Sequence, residues 1–544
     1  MTADPTSADG RSPRLRWLAV ILIFAVTAFR AAYLLFWCPY DLAPDEGHYW
    51  DWSRHLDWSY YSKGPLVAWV IRAGCELFGT LALACDGTLM PAVRLPAVLC
   101  GAGTLAALYM LTYQTYRSDR LALAVVAVVL SLPSFLALSV ILTIDAPFLC
   151  CWSWALVFGR WAMVDGKAWA WPAAGVAVAL GILAKYTMAL GLASAGLFLL
   201  FTPTHRKLLF RSGFWVMSVT AGLSAIPILV WNAANDWVTF RHVAVQAGVA
   251  QSPKNAGFRP EGPLVYVGEQ FLPLFGFWFV LWMLAVWRFR PTRTADPGVR
   301  YVWWMSVPTF ALFGVASFAT KVQVNWPVAA YLAGAVLIAG WFAEVGRHSR
   351  SVRNTAWAAV GISVFVSVLA HDTSRFVVPA VRPFLKPETS ERPTPVRQLD
   401  VAARLKGWKY LCEHLDRQRA ELEANGESPL IAANRWDVPG TIGFYCTGHP
   451  QAYSFGLMMK DRHSQYELWH PNPITDAQAF QGRTFLVVAA GYPAAELRPA
   501  FESVGPPQEV VYRENGLAVA TWTVCVARGF KGFDPSARLG PAGH

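Results

Sequence analysis

The chain has 544 residues, of which 55% are hydrophobic and only 15% charged, and its mean hydropathy is +0.34. Soluble globular proteins carry about 25% charged residues, so a wholly soluble enzyme, a disordered chain and a coiled-coil or collagen-like fibre are excluded. The formal net charge of +11 sits largely in short loops between apolar stretches, the placement of cytoplasmic loops in membrane proteins rather than of a nucleic-acid surface. No nucleic-acid partner is expected. With 26 Trp and 32 Phe, the chain reads as an integral membrane protein with aromatic belts at the bilayer interface.

A membrane span needs about 20 mostly apolar residues. Eleven such stretches run near 17–37, 93–113, 121–141, 146–164, 169–184, 186–202, 213–231, 264–287, 301–319, 326–344 and 355–371. The first is too long for a cleavable signal peptide, carries Arg30 and is followed by no small-residue cleavage site. With the N-terminus inside, the inner segments hold about 17 basic residues against about 8 in the longer outer loops. That bias predicts a cytoplasmic N-terminus and an outer, periplasmic C-terminal region of a cell inner-membrane protein.

Four parts are expected: a transmembrane domain over 1–375, a proline-rich linker over 376–400, a soluble α/β domain over 401–530 and a disordered tail over 531–544. In the soluble part, 396–424 reads as an amphipathic helix. Short apolar runs at 429–433, 484–490, 507–512 and 518–526 read as strands. The nine cysteines show no zinc-like spacing. Those of the membrane part read as small hydrophobes, and Cys412, Cys446 and Cys525 leave a disulfide open without choosing the pair.

The chemistry-bearing residues gather in the outer loops. The first outer segment, 38–91, runs through Asp41, Asp45, Glu46, His48, Tyr49, Asp51, Trp52 and His55 to Tyr61-Ser62-Lys63-Gly64-Pro65. Residues 45–57 can form a helix with Asp45 near its positive end. Tyr49, Trp52 and Leu56 then make an apolar stripe suited to the membrane surface. A second such helix is expected over 65–79. Asp145, Lys185, Lys321 and Asn325 fall at three other outer turns. Carboxylates and lysines on one membrane face suit a lipid-linked phosphate: lysine binds phosphate as a point charge, and a carboxylate can take a proton from an acceptor hydroxyl. Each lysine taken singly is also explained by snorkelling to the interface.

These pieces resemble the GT-C glycosyltransferases grouped with protein O-mannosyltransferases and lipid A aminoarabinose transferases. The resemblance rests on Asp45-Glu46 with Tyr49 and Trp50, Tyr61 to Pro65, Arg94-Leu95-Pro96, Thr143-Ile144-Asp145-Ala146-Pro147, Ala184-Lys185-Tyr186-Thr187, Lys321 to Pro327 and Ser464 to Trp469. It covers residues 15–200 well and the rest in patches. It implies a GT-C membrane domain that moves one sugar, with inversion, from a polyprenyl-phosphate donor to a hydroxyl on lipid A, another glycan or a protein. It implies Asp45 as the base, Glu46 as a positioning acid and Lys63 as a donor-phosphate ligand. Lys185 and Lys321 are further phosphate ligands on this reading, and Asp145, Tyr61, Arg30, His48 and Asn325 are substrate contacts, Arg30 by pairing with a loop carboxylate. No cofactor is required. His48, His55 and His242 are the candidates for a divalent metal, but the relatives' lipid A enzymes read Glu-Lys-Pro-Pro where this chain reads Ser62-Lys63-Gly64-Pro65, and the missing glutamate argues against a metal site of their kind. The rival reading is a transporter or flippase of lipid-linked sugars. It calls for ionisable residues on broken helices at mid-membrane, a place where only Lys185 qualifies.

Overall fold

A computed structural model of the chain describes residues 12–250, 257–385, 387–389, 393–459 and 461–534. Most of the expected tail, from 535 on, lies outside the described residues. Along the chain, α1 (Pro13–Phe36) leads into the outer segment with α2 (Pro44–Arg54) and α3 (Leu66–Asp86). Then follow α4 (Met90–Tyr116), α5 (Asp119–Ser131), α6 (Pro133–Leu138), α7 (Asp145–Met163), α8 (Ala170–Ala184) and α9 (Ala189–Phe201). The membrane part continues through α10 (Ser212–Leu223), α11 (Ala225–Ala234), α12 (Val238–Gln246), α13 (Gly262–Glu269), α14 (Phe277–Arg288), α15 (Pro297–Ala316), α16 (Ala330–Glu344) and α17 (Arg350–Ala370). Among the described residues, six helices are long and apolar enough to cross a bilayer, one of them joining α10 and α11, and α8, α9 and α14 are shorter apolar helices. The chain is a multi-span helical membrane protein.

Three expectations are corrected here. The stretch 121–141 is not one helix: Leu132 turns extended ahead of Pro133 and divides it into α5 and α6, because the residue before a proline is pushed out of the helical region. The stretch 264–287 breaks between α13 and α14, where Pro273 lies just before Phe275 and Gly276, both at positive φ. The expected surface helix at 65–79 is the 21-residue α3, which itself has the length and hydropathy of a span. The expected break at Lys185 is present. Lys185 has extended backbone at the end of α8, and a short 3-10 turn restarts the helix.

Two short helices, α18 (Thr373–Phe376) and α19 (Val378–Val381), follow α17. The segment expected as a stiff linker is therefore partly folded, and buried Val378 and Val396 pack with Val519 of the soluble domain. In that domain the long helix α20 is Trp408–Ala424, and α21 is Pro439–Tyr445. α20 starts twelve residues later than the charge pattern suggests because Gly407, at φ +85, ends the preceding turn and Asp41 caps the new helix through the Trp408 N–H at 2.7 Å. Its strands are β1 (Leu430–Ala433), β2 (Ala452–Ser454), β3 (Phe485–Ala489), β4 (Phe501–Val504), β5 (Gln508–Glu514) and β6 (Leu517–Phe530). β1 pairs in parallel with β2 and β3, and β6 runs antiparallel to β3, β4 and β5. The sheet is thus mixed, and β2 and β4 are strands that the apolar runs did not announce. Cys412, Cys446 and Cys525 are buried and free.

The soluble domain sits on α2. A Cβ on Gly47 would lie 2.8 Å from the Thr441 backbone, and one on Gly440 would lie 2.7 Å from the Gly47 carbonyl carbon. The two glycines let α2 and α21 cross backbone to backbone. α2 is consequently buried along nearly its whole length. Tyr49 and Trp52, expected on the membrane surface, face protein instead. Trp52 stacks on Tyr60 with ring centroids 4.3 Å apart.

Candidate active site

Pro44 opens α2 with its fixed φ, and Asp45 and Glu46 occupy the first turn, where the helix dipole favours acids. The two neighbours then part company. Glu46 is fully buried and its carboxylate is saturated. It takes the Arg94 guanidinium at 3.0 and 2.7 Å, the Leu142 N–H at 2.9 Å and the Ala43 N–H at 2.8 Å. Arg94 also donates to the Asp41 carbonyl at 2.7 Å. This buried, bidentate pair ties the first loop to α4 and to the turn before α7, and leaves Glu46 no lone pair for a substrate. Asp45, one residue earlier, makes neither a hydrogen bond nor an ion pair with any described residue and is half-buried. Burial, reinforced by Asp437, raises its carboxyl above the ordinary range, while Arg404, Arg462 and Lys63 pull the other way. A carboxylate without a partner and with a raised pKa is a competent proton acceptor.

Lys63 reaches the same space. Its loop is held by the Tyr60 N–H on the Lys63 carbonyl at 3.1 Å and by Ser59 Oγ against Tyr186 Oη at 3.3 Å. Gly64 is needed there: a Cβ would lie 2.8 Å from the Leu183 carbonyl carbon, at the end of α8. The loop can therefore close on the turn that carries Lys185. Burial lowers the Lys63 ammonium to about 8, Lys185 and Arg462 push it further down, and Asp145 and Asp45 oppose them. Lys63 forms no ion pair with a described carboxylate.

Asp145 and Lys185 form the opposite wall. Asp145 begins α7 and is buried. It accepts from Lys185 Nζ at 2.7 Å and from Asn325 Nδ2 at 2.8 Å, which joins three turns through one carboxylate. Lys185 also lies over the Phe148 ring at 5.3 Å.

Other expected residues have different places. Tyr61 donates its backbone N–H to Gln465 Oε1 at 2.7 Å and packs its ring against His242 and His463. The His48 ring is walled by Trp52, Trp436 and Tyr466 at 4.8 to 5.3 Å, and burial holds it neutral. His55 lies against Trp469 at 4.5 Å. These rings serve packing, and among the described residues no group of three His, Cys, Asp or Glu is placed to hold a metal ion. Arg30 does not meet a loop carboxylate: it donates to Ser139 Oγ at 2.6 Å and lies over Phe135. Lys321 is exposed and bonds to no described residue, so only Asn325 of its turn joins Asp145. An apolar cavity of about 430 Å³ opens among α5, α14, α16 and α17 and shares no residue with the Asp45–Lys63 chamber.

The soluble domain supplies Arg404, Trp436, Asp437 and Arg462, which the sequence reading missed, and the Ser464–Trp469 stretch, which it named. Arg404, Asp437 and Arg462 act electrostatically on Asp45, and Trp436 meets His48 edge-on at 5.1 Å. Gln465, Tyr466 and Trp469 rest on the first loop. No local pattern marks Arg462. The nearest signal is its position two residues ahead of the Ser464–Trp469 stretch.

Residues 62–231 match the family described as dolichyl-phosphate-mannose-protein mannosyltransferase. The chain is 28% identical over 318 residues to the lipid A galacturonosyltransferase RgtD of Rhizobium johnstonii, an alignment spanning 58% of this chain and 64% of that protein. Crystal structures of ArnT from Cupriavidus metallidurans superpose with a TM-score of 0.61 at 18% identity for the apo state, covering 94% of this chain and 98% of ArnT. For the state bound to undecaprenyl phosphate the TM-score is 0.60 at 17% identity, covering 93% and 97%. The ArnT likeness gives the fold; the sequence matches cover the loop lysine, the Asp145 turn and the Lys185 turn. The chain is a multi-span membrane protein with an ArnT-like fold, similar in sequence over part of its length to the mannosyltransferase family and to RgtD.

Proposed function

We propose that the chain transfers one sugar from a polyprenyl-phosphate donor to a hydroxyl of lipid A, with inversion, at the periplasmic face of the inner membrane. The observation that carries this reading is that Asp45 and Lys63, a carboxylate and an ammonium with no ion-pair partner among the described residues, lie close enough to act on each other electrostatically. Asp45 takes the acceptor proton as the hydroxyl oxygen attacks the anomeric carbon. The bond from that carbon to the phosphate oxygen breaks, and polyprenyl phosphate leaves on Lys63. Phosphate is a good leaving group, so the site needs a base and a counter-charge but no strong acid. Glu46 and Arg94 hold α2 in place, and Asp145 orients Lys185 and Asn325 along the wall.

Lipid A as acceptor is supported by the name of the Rhizobium relative, and a polyprenyl carrier by the ligand of the second ArnT structure. The outer placement of the soluble domain belongs to the same reading, supported by the basic inner loops. The test is release of polyprenyl phosphate by purified protein in lipid vesicles given lipid A and a panel of polyprenyl-phosphate sugars. Release with one sugar, lost in Asp45→Asn, supports the reading. Movement of a lipid-linked sugar across the bilayer without any release would replace it with transport.

A further inference from the structure

Arg462 is a cation with no ion pair among the described residues, and it reaches helix α2 through Trp436, whose ring meets His48 edge-on at 5.1 Å. Its guanidinium lies flat on Trp436, with Cζ 3.6 Å from the ring centroid. Its Nε is buried and has no hydrogen-bond partner. The adjacent acid does not neutralise it, since Asp461 accepts the Trp436 N–H at 2.9 Å, and Arg462 pairs with no described carboxylate. Stacked on Trp436, which packs against His48 of α2, it lies near enough for its charge to act on Asp45, His48, Tyr61 and Lys63.

The charges of the chamber define what it suits. Asp145 already answers Lys185. The donor's phosphodiester carries one negative charge, which Lys63 can answer. Arg404 and Arg462 are then set against Asp45 alone, so one cation is left over. A neutral sugar would leave the buried Nε of Arg462 unpaired, which is costly. An amino sugar would bring a third cation beside Arg462 and Lys63. A carboxylate on the sugar ring would satisfy it, because a planar guanidinium held on an aromatic face presents a fork that matches a carboxylate bidentately. We propose that Arg462 is a specificity-determining residue that binds the carboxylate of a uronic acid carried on the lipid donor. This rests on the reading of the chamber as a polyprenyl-phosphate sugar site.

The experiment compares polyprenyl-phosphate galacturonate, polyprenyl-phosphate galactose and a polyprenyl-phosphate amino sugar, with wild type, Arg462→Gln and Arg462→Lys, each checked for thermal stability in detergent. Wild type should prefer the uronate. Arg462→Gln should lower kcat/KM for the uronate about 10- to 100-fold more than for galactose, so that the preference collapses. Arg462→Lys, which keeps the charge but not the fork, should recover part of the loss. An equal fall for uronate and galactose would overturn the proposal and place Arg462 on the phosphate. A wild-type preference for galactose or the amino sugar, or an unchanged preference in Arg462→Gln, would also overturn it. Turnover of none of the donors by wild type would instead count against the glycosyltransfer reading itself.

Discussion

The two sides of helix α2 do opposite work with the same chemistry. On the side toward α4, Glu46 is locked by Arg94 and two backbone N–H groups. On the side toward the soluble domain, Asp45 faces a chamber of positive charge with no bond to hold it. Two adjacent acids at the head of one helix thus divide into a paired scaffold and a carboxylate left without a partner among the described residues, the one proposed as the base. The division is made by their neighbours, since a carboxylate that has spent its lone pairs on buried donors cannot also serve as a base. An acidic pair in a loop is therefore one catalytic candidate and one anchor, and the helical rotation between consecutive residues decides which is which.

The largest expected effect tests the reactive side. Asp45→Asn keeps the size and removes the proton acceptor, so transfer should fall by about 10²- to 10⁴-fold. The thermal midpoint should be unchanged, and a kinetic assay alongside a melting curve checks both. A variant that lost stability as much as activity would erase the distinction between the two sides.

Glu46→Ala tests the scaffold. It leaves Arg94 buried without its partner, which costs about 3–5 kcal/mol. The expected outcome is a large drop in folded yield and melting temperature, read by size-exclusion fluorescence of the detergent extract. Normal stability with selective loss of turnover would move Glu46 to the reactive side.

A smaller effect sharpens the reactive side. Asp45 works only when ionised, and its raised carboxyl means kcat/KM should climb with pH through a value above the usual carboxylate range. On the proposed mechanism Lys63 holds the donor phosphate only when protonated, and burial lowers its ammonium to about 8, so kcat/KM should fall above that pH. Lys63→Arg keeps the charge at all working pH values. It should shift the falling limb upward and leave the rising limb in place, as a pH series on the variant would reveal. The smallest effect concerns Lys321, which touches no described residue. Lys321→Ala should stay within about twofold of wild type in kcat and KM, and a tenfold rise in donor KM would bring that turn back into the chamber.

Much of this was legible from local pattern. The helix break at Lys185, the start of α7 at Asp145 and the strands β1, β3, β5 and β6 all follow from apolar runs and their polar punctuation. What was not legible is which surface covers an apolar stripe. Tyr49 and Trp52 read as membrane-facing because lipid and protein bury an aromatic ring equally well, and only the docking of α21 decides between them. The pairing of Glu46 with Arg94, 48 residues away, has no local trace either. The same holds for Arg462 and Trp436, which reach the chamber only because the soluble domain folds back on the loop. The broken helices at Pro133 and at Phe275–Gly276 were hidden by runs of apolar residues long enough to span a bilayer.

The crossing of Gly47 and Gly440 sets a rule for building hybrid enzymes. A soluble domain borrowed from a relative will seat on this membrane domain only if the 44–54 and 439–445 segments are exchanged together, since a side chain on either glycine removes the space the other backbone occupies. The unit of inheritance in such chimeras is the helix pair, and a cut placed in the proline-rich stretch at 376–400, however convenient it looks in the sequence, separates two halves of one joint.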